Sequence, residues 1–195
     1  MSTTYAGPRI PVKGELALPS DAPILHRILT IVPNGPEPIR FKMAKPQRDP
    51  APGEHIQDYA LKISETPSVP MLEAAETPFD INPTERCHII LELDASFNWE
   101  FTPGGLGVTP KVAGFEREDY GLTYAVRGQL TEAAETAVVP AACRVLYWGI
   151  LWRTEYVARD FDFHVDFYQN ERGRTLRMPT IFDPGVPNSG GPGIP

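Results

Sequence analysis

The stretch CHIILELDASFNWEF, residues 87–101, decides the fold class. Its odd positions are Cys87, Ile89, Leu91, Leu93, Ala95, Phe97, Trp99 and Phe101; its even positions are His88, Ile90, Glu92, Asp94, Ser96, Asn98 and Glu100. Apolar and polar residues alternate with one exception, Ile90. A period of two belongs to a β-strand that buries one face and wets the other. The run is longer than the usual strand of about five or six residues, so a bend is expected near Ala95–Ser96.

The same reading extends outward in both directions. Ile24 to Val32 (ILHRILTIV) is a short, β-branched run bounded by prolines, and Ile39, Phe41 and Met43 alternate with Arg40 and Lys42. His55 to Ile63 is predicted as a further strand, with Tyr59, Leu61 and Ile63 opposite Asp58 and Lys62. Tyr120 to Val126 alternates again. Arg144 to Val157 is apolar on both faces, as expected of a central strand covered on both sides. Phe161, Phe163, Val165 and Phe167 alternate with Asp162, His164, Asp166 and Tyr168. Asn170-Glu171-Arg172-Gly173 then signals a hairpin turn into a strand from Thr175. Two short connecting helices are predicted, at Met71–Thr77 and Thr131–Val139, each containing Glu-Ala-Ala-Glu-Thr.

Composition agrees with a β-rich chain. Among 195 residues there are 22 prolines and 16 glycines, which break or weaken helix interiors. The expected architecture is all-β: an antiparallel β-sandwich over residues 20–183, a proline-rich arm over 1–19 and a Gly/Pro tail over 184–195. Basic residues number 18 against 25 acidic, a net charge of −7, so no basic excess exists to neutralise a nucleic-acid backbone. The longest apolar run, Val145 to Trp152, is far shorter than the roughly 20 residues a spanning helix needs. Two cysteines, Cys87 and Cys143, form no disulfide framework. These features predict a cytoplasmic protein that meets neither nucleic acid nor membrane.

Candidate chemistry is sparse. Asp162, His164 and Asp166 share one strand face, roughly 6.6 Å apart in succession, and imidazole with carboxylate can seed a metal or acid–base site. His88, Glu92 and Asp94 repeat the pattern, and the two patches would merge if their strands were neighbours. Cys87 lies on the apolar face of its strand, away from His88, and reads as a small buried hydrophobe, as does Cys143. Gly104-Gly105-Leu106-Gly107 is followed by Val108-Thr109-Pro110, which opens no helix, so this motif gives no phosphate loop. Trp148, Trp152 and Tyr156 share one strand face, an aromatic platform suited to a sugar ring or a partner. The binding candidates are therefore Trp148, Trp152, Tyr156, Asp162, His164 and Asp166, with no catalytic residue, metal ligand or cofactor assigned.

The last third resembles the bacterial inclusion-body protein family, small cytosolic β-sandwiches that accumulate as crystalline inclusions. The resemblance rests on Tyr147-Trp148, on Phe161-x-Phe163-x-Val165-x-Phe167, on the Asn170–Gly173 turn and on Phe182-Asp183-Pro184. It carries no catalytic residues. The expected function is non-enzymatic: self-association or partner binding, as a homo-oligomer held through the terminal arms. Carbohydrate or small-ligand binding on the aromatic face is the alternative, and a metal-dependent hydrolase on the Asp/His face a further one.

Overall fold

A computed structural model describes residues 18–32, 40–72, 81, 83–102, 108–110, 123–127, 130–132, 142–151 and 161–182. Among these residues eleven strands and one helix follow in chain order: β1 (Ile24–Val32), β2 (Arg40–Pro46), α1 (Ile56–Glu65), β3 (Pro70–Met71), β4 (Cys87–Leu93), β5 (Trp99–Phe101), β6 (Val108–Pro110), β7 (Tyr124–Val126), β8 (Leu130–Glu132), β9 (Val145–Ile150), β10 (Phe161–Glu171) and β11 (Arg174–Phe182). The described chain is thus mostly β, as its alternation predicts.

The strands form two sheets. One has seven strands in the order β3-β2-β1-β4-β9-β7-β8; the other has four, with β11-β10-β5 in line and β6 beside β10. Pairing is antiparallel except between β1 and β4, which run parallel with His26 opposite Ile90 and Ile28 opposite Glu92. The wholly antiparallel expectation is corrected here: β2 and α1 intervene between these two strands, long enough to carry the chain back for a parallel return.

The bend predicted in residues 87–101 is a change of sheet. β4 ends at Leu93, and β5 pairs with β10 in the other sheet. Parity survives the crossing, because Cys87, Ile89, Leu91, Leu93, Trp99 and Phe101 all enter one core with Leu146, Trp148, Phe163, Val165 and Phe182. Asp94 fastens the corner. Its Oδ2 accepts from Thr30 Oγ1, its Oδ1 from the Ser96 amide and its carbonyl from Trp99 Nε1.

Residues 56–65 are a helix rather than the strand predicted from His55 to Ile63. Ile56, Tyr59, Ala60 and Ile63 are the buried apolar positions, spaced i, i+3, i+4 and i+7 on one helical face. Asp58 in the first turn and Lys62 in the last complement the helix dipole. Thr66 stands before Pro67 at φ −123° and ψ 91°, the extended conformation a following proline imposes, and the helix stops there. The two predicted helices are not seen where described residues overlap them: Met71 lies in β3, and Thr131 and Glu132 in β8. The remainder of both segments lies outside the described residues, as do residues 1–17 of the predicted arm and the whole predicted tail.

α1 also explains why the even positions of β4 are not wet. It packs over that face, forming a second cluster of Ile56, Tyr59, Ala60 and Ile63 with Ile90, Val126, Val145 and Tyr147. His88, Glu92 and Asp94 are buried as well, at 8%, 1% and 5% exposure. β9 is buried throughout, as predicted for a central strand. No helix among the described residues is long and apolar enough to cross a membrane.

Candidate active site beneath helix α1

His26, Glu92 and Tyr59 meet between the seven-stranded sheet and α1. β1 and β4 are neighbours, and their even residues point to the helix side, which brings the imidazole and carboxylate together. His26 Nε2 lies 3.0 Å from Glu92 Oε2, at ion-pair distance but off the axis of a straight hydrogen bond. On its other side, His26 Nδ1 is 2.9 Å from the Tyr59 hydroxyl. The two rings meet edge-on, with centroids 5.6 Å apart. The Ser68 amide donates to Glu92 Oε1 at 2.9 Å, so backbone beyond the helix fixes the carboxylate.

All three side chains are buried. Burial raises the Tyr59 phenol well above its ordinary value, and the charges of Glu92, Glu54 and Asp49 raise it further. The phenol therefore keeps its proton. A carboxylate beside Nε2 favours a proton on that nitrogen, which leaves Nδ1 to accept from Tyr59. The order Tyr59–His26–Glu92 is that of an acid–base relay: a hydroxyl, a base, and a carboxylate that stabilises the charged base.

The relay backs onto a cavity of about 510 Å³ lined by Arg48, Asp49, Glu54, Tyr59, Lys62 and Ser68, among others. Lys62 Nζ sits 5.9 Å from the centroid of the Tyr59 ring and 3.7 Å from Glu54 Oε1. Tyr59 and Ser68 are thus on the wall, with His26 and Glu92 behind them. Arg48 and Lys62 place cationic groups at the same opening.

The sequence-derived candidates lie elsewhere. Trp148 is fully buried with its ring 5.8 Å from that of Phe163; Trp152 and Tyr156 lie outside the described residues. Asp162 and His164 are half-buried on β10. Asp166 is 5% exposed, accepting from Thr102 Oγ1 at 2.9 Å and from Arg177 Nη1 at 3.1 Å. Arg177 also donates to Glu100. The patch does not merge with His88, Glu92 and Asp94, because β10 pairs with β5, β6 and β11 and not with β4.

Sequence reasoning named Glu92 but only as part of a solvated stripe, and it missed His26 and Tyr59. One signal was available for His26: it is the single imidazole inside the apolar run ILHRILTIV. Tyr59 was hidden by the misread period of its segment.

A family model described as a predicted novel nucleotide synthetase matches residues 26–191. No curated protein and no solved structure matches the chain. The family match corrects the resemblance to inclusion-body proteins: elements such as an alternating Phe-x-Phe strand and a tight hairpin arise wherever β-sheets pack, and they carry no family. It overturns with it the expectation of a non-enzymatic, self-associating protein.

Proposed function

The chain belongs to the predicted novel nucleotide synthetase family, whose model spans residues 26–191 of its 195, and from that premise we propose that it is an enzyme that joins a nucleotide to a second substrate in the cavity beside α1. The observation that carries this reading is the buried Tyr59–His26–Glu92 relay at the wall of a cavity holding Arg48 and Lys62. A volume of about 510 Å³ is within the roughly 300–1,000 Å³ of pockets that enclose drug-sized ligands. In this reading the two sheets, which share one apolar core, stack as a β-sandwich and α1 lies on its outer face.

The proposed step is attack of a substrate hydroxyl on a nucleotide phosphate. The Tyr59 oxygen accepts the hydroxyl proton as its own proton passes to His26 Nδ1, and Glu92 stabilises the imidazolium. The new O–P bond forms as the leaving phosphate group departs with the bonding electron pair. Arg48 and Lys62 hold the phosphates against this movement of charge. Cationic guanidinium and ammonium groups suit that role in an otherwise acidic chain.

The test is incubation of the full chain with the four nucleoside triphosphates and magnesium, with products separated and weighed by mass spectrometry. Product containing a new nucleotide linkage is expected. Tyr59→Phe should slow its formation about a hundredfold or more, since general acid–base groups contribute about 10²–10⁴-fold. A Tyr59→Phe rate equal to wild type would remove the relay from the reaction, and absence of any new linkage would sink the synthetase reading.

A further inference from the structure

A second cavity carries two arginines, Arg127 and Arg144, that take part in no ion pair among the described residues. β7 and β9 are antiparallel, with Val126 opposite Val145 as their terminal pair. One residue further along, Arg127 and Arg144 are brought to the same end of the ladder. Like charges across an antiparallel pair destabilise it. Yet the ion pairs among the described residues join Glu92, Glu54, Glu100 and Asp166 to other cations. Acidic residues outnumber basic ones 25 to 18, so two neighbouring arginines with no ion pair among the described residues go against the balance of the chain.

Both arginines line a cavity of about 250 Å³, together with Ser64, Glu100, Cys143 and Tyr168. The carboxylate in that wall, Glu100, is already engaged by Arg177. Burial pushes the Cys143 thiol up to about 12, with weaker opposing hydrogen bonds from Val145 and Val126, so it remains neutral and supplies no counter-charge. The volume is below the roughly 300 Å³ at which pockets begin to hold a whole drug-sized ligand. It suits one anionic group. Guanidinium forks match phosphate oxygens, two at a time.

We infer that Arg127 and Arg144 form a binding site for a phosphate-bearing anion, separate from the cavity at Tyr59 and on the other flank of α1. That the anion belongs to a nucleotide substrate or product rests on the synthetase reading; that the site takes a phosphate anion does not. Ser64 lines this cavity, while Tyr59, Lys62, Ile63 and Thr66 line the other. The last turns of one helix thus border both sites.

The experiment is isothermal titration of the full chain at low salt with pyrophosphate, ATP and adenosine in separate arms. Pyrophosphate and ATP are expected to bind at this site and adenosine not to compete with pyrophosphate. Arg127→Gln and Arg144→Gln should each weaken pyrophosphate binding about tenfold to a hundredfold, the range for a lost charged hydrogen bond. The Arg48→Gln/Lys62→Gln variant, which strips cations from the other cavity, should retain it. Arg127 is exposed, so its variant keeps the test readable if Arg144→Gln fails to fold. Unchanged pyrophosphate affinity in Arg127→Gln, or its loss only in Arg48→Gln/Lys62→Gln, overturns the site. Normal pyrophosphate binding in a chain that makes no nucleotide linkage would sink the synthetase reading and leave this site standing.

Discussion

His26 and Glu92 stand side by side on parallel neighbouring strands, Nε2 3.0 Å from Oε2, with side chains 0% and 2% exposed. Taking two such groups out of water costs several kcal/mol each, and their attraction seldom repays it fully. Well-packed leucines would serve stability as well. Chemistry is the better reason for keeping the pair, because buried groups with a specific partner beside a cavity gather at functional sites.

The pair can be separated from its surroundings by a double-mutant cycle. Removing one partner strands the other in the core, so Glu92→Met and His26→Leu should each cost about 3–5 kcal/mol. His26→Leu/Glu92→Met should recover most of that loss, since neither polar group is then left buried without its partner. Urea titration of the four proteins measures the coupling. Costs that simply add in the double variant would show that the two groups do not interact.

His88 gives stability a pH dependence on the acid side. Burial lowers its pKa below the usual value near 6.5, a shift partly opposed by the hydrogen bond to the Pro19 carbonyl. The native protein therefore resists protonation where the unfolded chain accepts it. Below about pH 6.5 the unfolded state binds more protons, and stability falls with decreasing pH by up to about 1.4 kcal/mol per unit for this one group. His88→Gln should flatten the slope between pH 7 and 5 in denaturant titrations. An unchanged slope would mean that His88 takes up its proton freely in the native state.

Much of the architecture was legible because strand alternation is a local signal. The odd positions of β4 and β5 enter one core even though the strands belong to different sheets, and β9 announced its central place by being apolar on both faces. The hairpin from Asn170 to Gly173 needed only the turn chemistry. The site depended on non-local facts. Tyr59, Leu61 and Ile63 fit a period of two, while Ile56, Tyr59, Ala60 and Ile63 fit 3.6 as well, and only packing chooses between them. Glu92 looked solvated because the helix that covers it is absent from its own strand's pattern. The parallel pairing that sets His26 beside Glu92 joins residues 64 positions apart, which no short window contains.

The hairpin itself offers a test of backbone strain. Glu171 and Arg174 close the β10–β11 ladder, leaving Arg172 at φ 47° and Gly173 at φ 78° between them. Both central residues are left-handed, the arrangement of a two-residue type I′ turn that favours Asn-Gly. Arg172→Asn should raise stability by about 0.5–1 kcal/mol, because arginine pays the left-handed penalty and asparagine largely avoids it. Gly173→Ala should lower it by about 1 kcal/mol. A Cβ there would meet nothing within 4 Å, so that cost is purely conformational. Thermal melts of both variants read these shifts; a neutral Gly173→Ala would show that the turn relaxes to another type.

The thiols report on whether the core opens. Cys87 and Cys143 are 3% and 5% exposed, and burial pushes each up to about 12 from an ordinary 9.0. The thiolate is the reactive form, so both should resist a disulfide reagent in the native protein at pH 8 and react only on unfolding. The sign of the linkage follows from the same shift. Above about pH 9 the unfolded chain releases thiol protons that the native chain retains, and stability is lost progressively from there towards pH 12. Cys87→Ala/Cys143→Ala should remove that part of the alkaline loss. Labelling kinetics separate the two residues: slow, matched rates equal to the unfolding rate are expected for both. Rapid labelling of Cys143 alone would mean that the cavity at Arg127 and Arg144 opens to the thiol, a solvated wall inconsistent with its raised pKa.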